Sequence, residues 1–130
     1  MKLNYQLTGC RCRFGYFHVF NNHYTEWGMY AIGGSSNPTI LSQGNRFMAS
    51  GNPMVKEVTK RQNSTESEWK KWNWISEDDA LLNGAYFTPS GSQVLSTYTT
   101  AYSGRPKSSA IVEEITRNAG VLSCKKGTRC

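Results

Sequence analysis

The strongest constraint on this chain is its rhythm. Apolar, β-prone runs of three to five residues are cut short again and again by Asn, Gly, Ser and Pro. Residues 16–20 end at Asn21-Asn22, and residues 29–32 end at Gly33-Gly34-Ser35-Ser36-Asn37-Pro38. Residues 39–41 run into Ser42-Gln43-Gly44-Asn45, and residues 46–48 run towards Ser50-Gly51-Asn52-Pro53. Residues 55–59, 72–75 and 85–87 continue the series, the last stopping before Pro89. Gly and Asn supply the positive-φ turns that strands this short need, and Pro blocks their extension. The runs are shorter than sandwich strands usually are. They fit the coils of a parallel β-helix, in which each coil stacks on its neighbours. No exact repeat period emerges, so periodicity alone leaves a β-sandwich equally open.

With 130 residues the chain is sized for one modest domain. Only 18% of residues are charged, so Asn, Ser, Thr and Gln build much of the polar surface, as in turn-rich β proteins. Fifteen Lys and Arg against nine Asp and Glu give a net charge of +6. That charge favours an anionic partner: nucleic acid, an acidic membrane or an acidic polysaccharide. The basic residues are scattered and no nucleic-acid motif is present, so nucleic acid is not expected. No apolar run approaches the roughly 18 residues of a membrane span, so no membrane partner is expected. Residues 1–7 lack the apolar h-region of a signal peptide.

The four cysteines form two close pairs, Cys10/Cys12 and Cys124/Cys130. Cys-x-Cys is too tight for an easy internal disulfide, whereas the spacing of Cys124 and Cys130 closes a small loop, and a bridge is expected there. Zinc bound by all four is disfavoured because neither pair has the usual ligand spacing. The state of Cys10 and Cys12 is left open. Asn63-Ser64-Thr65 is a glycosylation sequon and would matter in an exported protein. The segment 92–107, rich in Ser, Thr, Tyr and Gly, reads as a surface excursion. Ser109 is placed to cap a short helix through Arg117, with Ile111 and Ile115 on one face and Gly120 ending it. A basic tail, 124–130, follows.

Several longer stretches resemble the plant pectate lyases. They are Arg11-Cys12-Arg13-Phe14-Gly15-Tyr16-Phe17-His18-Val19 with Asn21-Asn22 and Tyr24, then Trp27, residues 29–35, Asn37-Pro38-Thr39-Ile40 and Ser42-Gln43-Gly44-Asn45-Arg46. Residues 56–61, Trp69, Trp72-Asn73-Trp74, residues 83–87, Asn118-Ala119-Gly120, Cys124 and Cys130 complete the likeness, which keeps the order of the family's carboxy-terminal part. It implies an all-β fold, a right-handed parallel β-helix of which residues 10–91 are the last coils. Residues 92–130 would then be an excursion, short helix and tail packed on it, and residues 1–9 a segment outside the likeness. That break is expected to mark an alternative start or an incomplete gene model.

The resemblance also implies calcium-dependent β-elimination of de-esterified homogalacturonan, in a secreted, cell-wall enzyme that is monomeric as the parent protein. A metal bridging the uronate carboxylate makes the neighbouring C5 proton easier to remove. Arginines hold further carboxylates through paired hydrogen bonds. In the family the catalytic arginine opens an Arg-x-Pro-x-x-Arg element before the Gly-Tyr-Phe strand. Aligned on Arg13-Phe14-Gly15, the family's last, substrate-binding arginine falls on Arg13, and its base falls on Thr8, which is neither cation nor base. Arg11 is a weaker candidate for carboxylate binding. The family's calcium acids come from earlier coils, so this segment is expected to bind no calcium tightly and to be inactive alone. It could still hold polygalacturonate.

Other residues receive structural readings. Lys56, Lys60 and Arg61 are expected on a charged outer face, and Asn21, Asn22 and Asn45 at coil turns. His18 is expected to be structural, and His23 carries no role from the family. Trp27, Trp69, Trp72 and Trp74 are expected in the core before any sugar stacking. Glu77, Asp78 and Asp79 read as a solvated turn, since three adjacent acids make a poor calcium site.

Overall fold

The structure, a computed structural model, describes residues 2–4, 8–92 and 105–120. Among the described residues, ten short strands lie in three parallel sheets. The first sheet holds β1 (Lys2–Asn4), β4 (His23–Thr25), β7 (Arg46–Met48) and β10 (Ala80–Leu82). The second holds β2 (Thr8–Arg13), β5 (Tyr30–Ser35) and β8 (Thr59–Arg61). The third holds β3 (Tyr16–Phe20), β6 (Thr39–Gln43) and β9 (Trp74–Glu77). The chain visits the sheets in that order, and every ladder pair is parallel. This is a parallel β-helix with three coils and the start of a fourth, and it excludes the sandwich that periodicity had left open. Register partners Lys2, His23, Arg46 and Ala80 mark how far the chain travels per coil. The third coil is longest, since it carries the loop 49–58 and a second loop with the one-turn helix α1 (Glu66–Trp69). Unequal coils hide the repeat from the sequence.

Inward residues form columns along the axis. Phe17, Ile40 and Trp74 are register partners in successive coils, as are Tyr24 and Phe47, whose rings stack with centroids 5.0 Å apart. Trp27, Trp72 and Trp74 are buried, as expected, and Trp69 packs against the same core. The indole N–H of Trp74 donates to the Pro38 carbonyl at 3.0 Å and that of Trp27 to the Glu57 carbonyl at 3.0 Å, so neither leaves a buried donor unpaired. Gly33 and Gly34, expected to be a turn, lie inside β5 instead. A Cβ on Gly33 would overlap the Tyr30 ring, and one on Gly34 would strike Pro38 and Trp74. The glycines are there for close packing.

Between the third and first sheets each coil turns through one positive-φ residue: Asn21 (49°), Gly44 (61°) and Asp78 (51°). The residue that follows each, Asn22, Asn45 and Asp79, forms a polar ladder. Asn45 Oδ1 accepts from the backbone N–H of Asn22 at 2.9 Å, and its Nδ2 donates to the Val19 carbonyl at 2.8 Å. Asp79 Oδ1 accepts from the backbone N–H of Asn45 at 2.7 Å, while Asp79 Oδ2 accepts from Ser42 at 2.6 Å and Ser76 at 2.7 Å. The three asparagines are turn residues, as expected. The acidic run is not a single solvated turn: Glu77 and Asp78 are exposed, but Asp79 is half-buried and ends the ladder. Burial pushes its carboxyl up, against the lowering effect of Ser42, Ser76 and Asn45.

The described part of the carboxy-terminal region, residues 105–120, straps this turn stack. The Lys107 N–H donates to Asn21 Oδ1 at 2.7 Å and its carbonyl accepts from Asn21 Nδ2 at 2.6 Å. Arg46 pairs with Glu113 at 3.2 Å. The strap contains a 3-10 turn, Ser109–Ile111, and α2 (Val112–Ile115). Two expectations for this helix need correction. The cap is Ser108, not Ser109, and it caps the 3-10 turn that leads into α2, accepting from the Ala110 N–H. Val112 and Thr116 form the buried face of the helix, while Ile111 and Ile115 are exposed. The strap's path over the turns, which local periodicity does not encode, decides that face. Of the 92–107 excursion, residues 93–104 lie outside the described residues. The expected boundary between residues 9 and 10 falls within β2.

Candidate functional site

β2 pairs on one side with β5, so alternation along it separates two chemistries. Cys10 and Cys12 face the core, and Cys12 is fully buried. Arg11 and Arg13 are exposed on the opposite face. Arg11 lies across Gly33, which in turn lies across exposed Lys60 on β8. Two strand spacings put these strands about 10 Å apart, and the Tyr30 ring lies where a side chain on the glycine between them would be. Arg13 lies across Ser35, and its guanidinium carbon sits 5.2 Å from the ring centroid of Phe14. Phe14 is 60% exposed and occupies a positive-φ turn (55°). Among the described residues neither Arg11 nor Arg13 forms an ion pair with a carboxylate. The face therefore offers cations on either side of a buried glycine that the Tyr30 ring packs against, with the Phe14 ring beside Arg13. Such a face suits an extended polyanion.

Thr8 begins the same strand and pairs with Tyr30. His18 lies on β3, where its Nε2 is 3.0 Å from Gln43 Oε1, and His23 is buried on β4. Asn63 is exposed in a positive-φ turn (54°), and Thr65 of its sequon is the N-cap of α1. Cys124 and Cys130 lie outside the described residues.

The basic trio does not share one outer face. Lys60 is exposed there, but Lys56 Nζ donates to the carbonyls of Ser50 and Asn83 at 2.6 and 2.9 Å and pins two loops. Arg61 turns inward. Its guanidinium carbon lies 4.6 Å from the Trp69 ring centroid and 4.2 Å from that of Trp74, and NH2 donates to the Thr88 carbonyl at 2.6 Å and Ser90 Oγ at 2.9 Å. Burial lowers its pKa to about 10, and Glu57 opposes the shift. Residue 61 follows the inward parity of Gly34, its register partner, whereas Lys60 follows Gly33. That parity is visible only once β5 and β8 are aligned. The pairing of Arg11 with Lys60 through Gly33 was missed for the same reason. Phe14 carried a signal, an aromatic beside Gly15 at a turn, that was not read as functional.

No group of three or more His, Cys, Asp and Glu side chains is arranged to hold a metal among the described residues. Asp79 is saturated by its ladder partners, Asp78 Oδ2 takes the Ser109 N–H at 3.4 Å, and Glu77 takes Gln43 Nε2 at 3.1 Å. These acids do not fit a calcium site. Nor is any helix of the described residues long and apolar enough to cross a membrane.

A family model described as pectate lyase matches residues 4–124, beginning inside the segment 1–9. A pectate lyase of Zinnia elegans is 60% identical over 122 residues, covering 92% of this chain and 30% of the relative. Probable pectate lyase 10 of Arabidopsis thaliana is 58% identical, covering 92% of this chain and 27% of its own length. Among solved structures, jun a 1, the major allergen from cedar pollen, is similar with a TM-score of 0.81 and 40% identity, over 95% of this chain and 39% of that one. The chain thus spans about a third or less of the curated relatives it matches.

Proposed function

The chain belongs to the pectate lyase family, and from that premise we propose that it is part of a calcium-dependent lyase cleaving de-esterified homogalacturonan by β-elimination. In this reading the segment supplies carboxylate-binding cations and not the base. The observation that carries it is the outward strip of β2, with Arg11 and Arg13 exposed and Lys60 across Gly33. Arginine holds a uronate carboxylate through two parallel hydrogen bonds, and Lys60 adds a point charge further along the polymer. Thr8, at the family's base position, can neither carry positive charge nor take the C5 proton. The described acids do not fit calcium, so its ligands are assigned to parts of the longer protein. The sequon at Asn63 is assigned as a glycosylation site of an exported, cell-wall protein, and the parent enzyme is assigned as a monomer.

Two assays on the purified chain test this reading. With polygalacturonate and calcium, no ultraviolet absorbance from unsaturated uronides is expected. With polygalacturonate alone, retention that weakens with salt is expected, and R11A/R13A should reduce affinity roughly ten-fold or more, given about 1.5–3 kcal/mol per charge-assisted bond. EDTA-sensitive lyase activity would show that Arg11 or Arg13 supplies the base. Affinity unchanged in the double variant would remove the strip from substrate binding.

A further inference from the structure

The described non-glycine residues with positive φ are Asn, Asp or Ser with two exceptions, Glu26 and Phe14 (55°). Small polar side chains tolerate that backbone, whereas a bulky apolar one is a true outlier there. Packing does not account for Phe14. Its ring is 60% exposed and belongs neither to the hydrophobic core nor to the partly buried residues packed against it. Gly15 completes the turn at φ 65°, with open space where a side chain would stand. The next coil holds the turn, since the Gly15 carbonyl accepts from the Thr39 N–H at 2.8 Å. Gly or Asn at position 14 would form the same turn with less strain. Strain kept without a packing return points to a role at the surface.

We propose, resting on the carboxylate-binding role of β2 above, that Phe14 is a stacking platform for one sugar ring of the polyuronate and makes the site selective for it. A galacturonide unit is rigid. Its carboxylate sits on the carbon beside the ring oxygen, and the hydrogens of C3, C4 and C5 share one face. That face is apolar, and laying it on an exposed aromatic ring removes apolar area of both partners from water. The Arg13 guanidinium carbon is 5.2 Å from the Phe14 centroid, so one stretch of polymer meets the ring and the cation together. Arg13 is itself exposed. Cations alone accept any extended polyanion, so Arg11, Arg13 and Lys60 read charge. Phe14 reads whether that charge is carried on a sugar ring, and the selectivity is the difference between the two affinities.

The test measures binding of the 130-residue chain and its F14N variant to polygalacturonate and to poly-L-glutamate, a polyanion without sugar rings, at one salt concentration. F14N is expected to weaken binding to polygalacturonate roughly three- to ten-fold and to leave binding to polyglutamate unchanged. F14Y, which keeps an aromatic ring, should bind both polymers as the parent does. Because Asn tolerates a positive φ, the urea midpoint of F14N should stay the same or rise. A lowered midpoint would give the ring a structural role and overturn the proposal. Equal affinity of F14N and the parent for polygalacturonate also overturns it. So does equal weakening on both polymers, since Phe14 would then act only by orienting Arg13. R11A/R13A should weaken binding to both polymers, which separates the two readings. If it does so while F14N has no effect, the stacking platform alone fails; if R11A/R13A has no effect on polygalacturonate, the carboxylate-binding role of β2 fails with it.

Discussion

Asn45 has no exposed surface, and its side chain joins three coils: it accepts from Asn22 and donates to Val19, Ser42 and Asp79. Substituting Asn45→Ala strands the Val19 carbonyl and the Asn22 N–H in the interior. A loss of about 1–3 kcal/mol is expected in urea unfolding monitored by tryptophan fluorescence. A loss below about 0.5 kcal/mol would mean that water replaces the ladder. Cys10 supports a second expectation at this scale. Its thiol is lowered to about 7 by the Cys12 S–H, while Cys12 is raised and buried. Thiolate is the reactive form, so alkylation of Cys10 should rise steeply as pH climbs through about 7 and level off above it, with Cys12 unmodified throughout. Mass mapping of peptides alkylated along a pH series checks both halves. Residue identities revealed the asparagine turns because Asn tolerates positive φ without tertiary help. They could not reveal that Arg61 turns inward, since only its ladder partner Gly34 fixes that direction.

At the scale of elements, β3 and β7 were legible in full because each is a short β-prone run bounded closely by Gly and Asn turn residues. β4 and β10 were not, since each has three residues of mixed polarity and owes its existence to neighbours above and below. The carboxy-terminal strap shows the same dependence from the other side. Gly44 has φ 61°, and a Cβ there would overlap the Lys107 carbonyl. Gly44→Ala therefore meets two penalties, a left-handed backbone that costs about 1 kcal/mol without glycine and a clash with the strap. The expected outcome is release of the strap from the turn stack. Trypsin should cut after Lys107 faster in the variant than in the parent, while tryptophan fluorescence of the coils stays close to native. Equal cleavage rates would show that Arg46 with Glu113, and Ser109 with Asp78, hold the strap without the Lys107 contact.

For the molecule as a whole, the two ends of the β-helix are not equivalent. At the far end, residues 84–92 fold across the third coil: Tyr86 bridges Glu57, Ser90 bridges Trp74, and Arg61 ties Thr88 and Ser90 to the stacked indoles. At the near end, β1, β2 and β3 each have one sheet neighbour among the described residues. Their outer edges present backbone donors and acceptors in three directions around an apolar core, which is the arrangement that invites pairing with another chain. The net charge of +6 opposes association, but it is spread over the surface, and Arg11 and Arg13 project sideways from β2 instead of along the axis. Backbone pairing and core burial act at contact, whereas the repulsion is screened beyond about 10 Å at moderate salt. The isolated 130-residue chain should therefore self-associate end to end. Light scattering behind size exclusion should give a mass above 14.6 kDa that grows with concentration and with salt. A longer chain carrying additional residues before β1 should abolish that growth if those residues cover the edge. A constant 14.6 kDa at high protein and high salt would show that the near end is already capped within the chain.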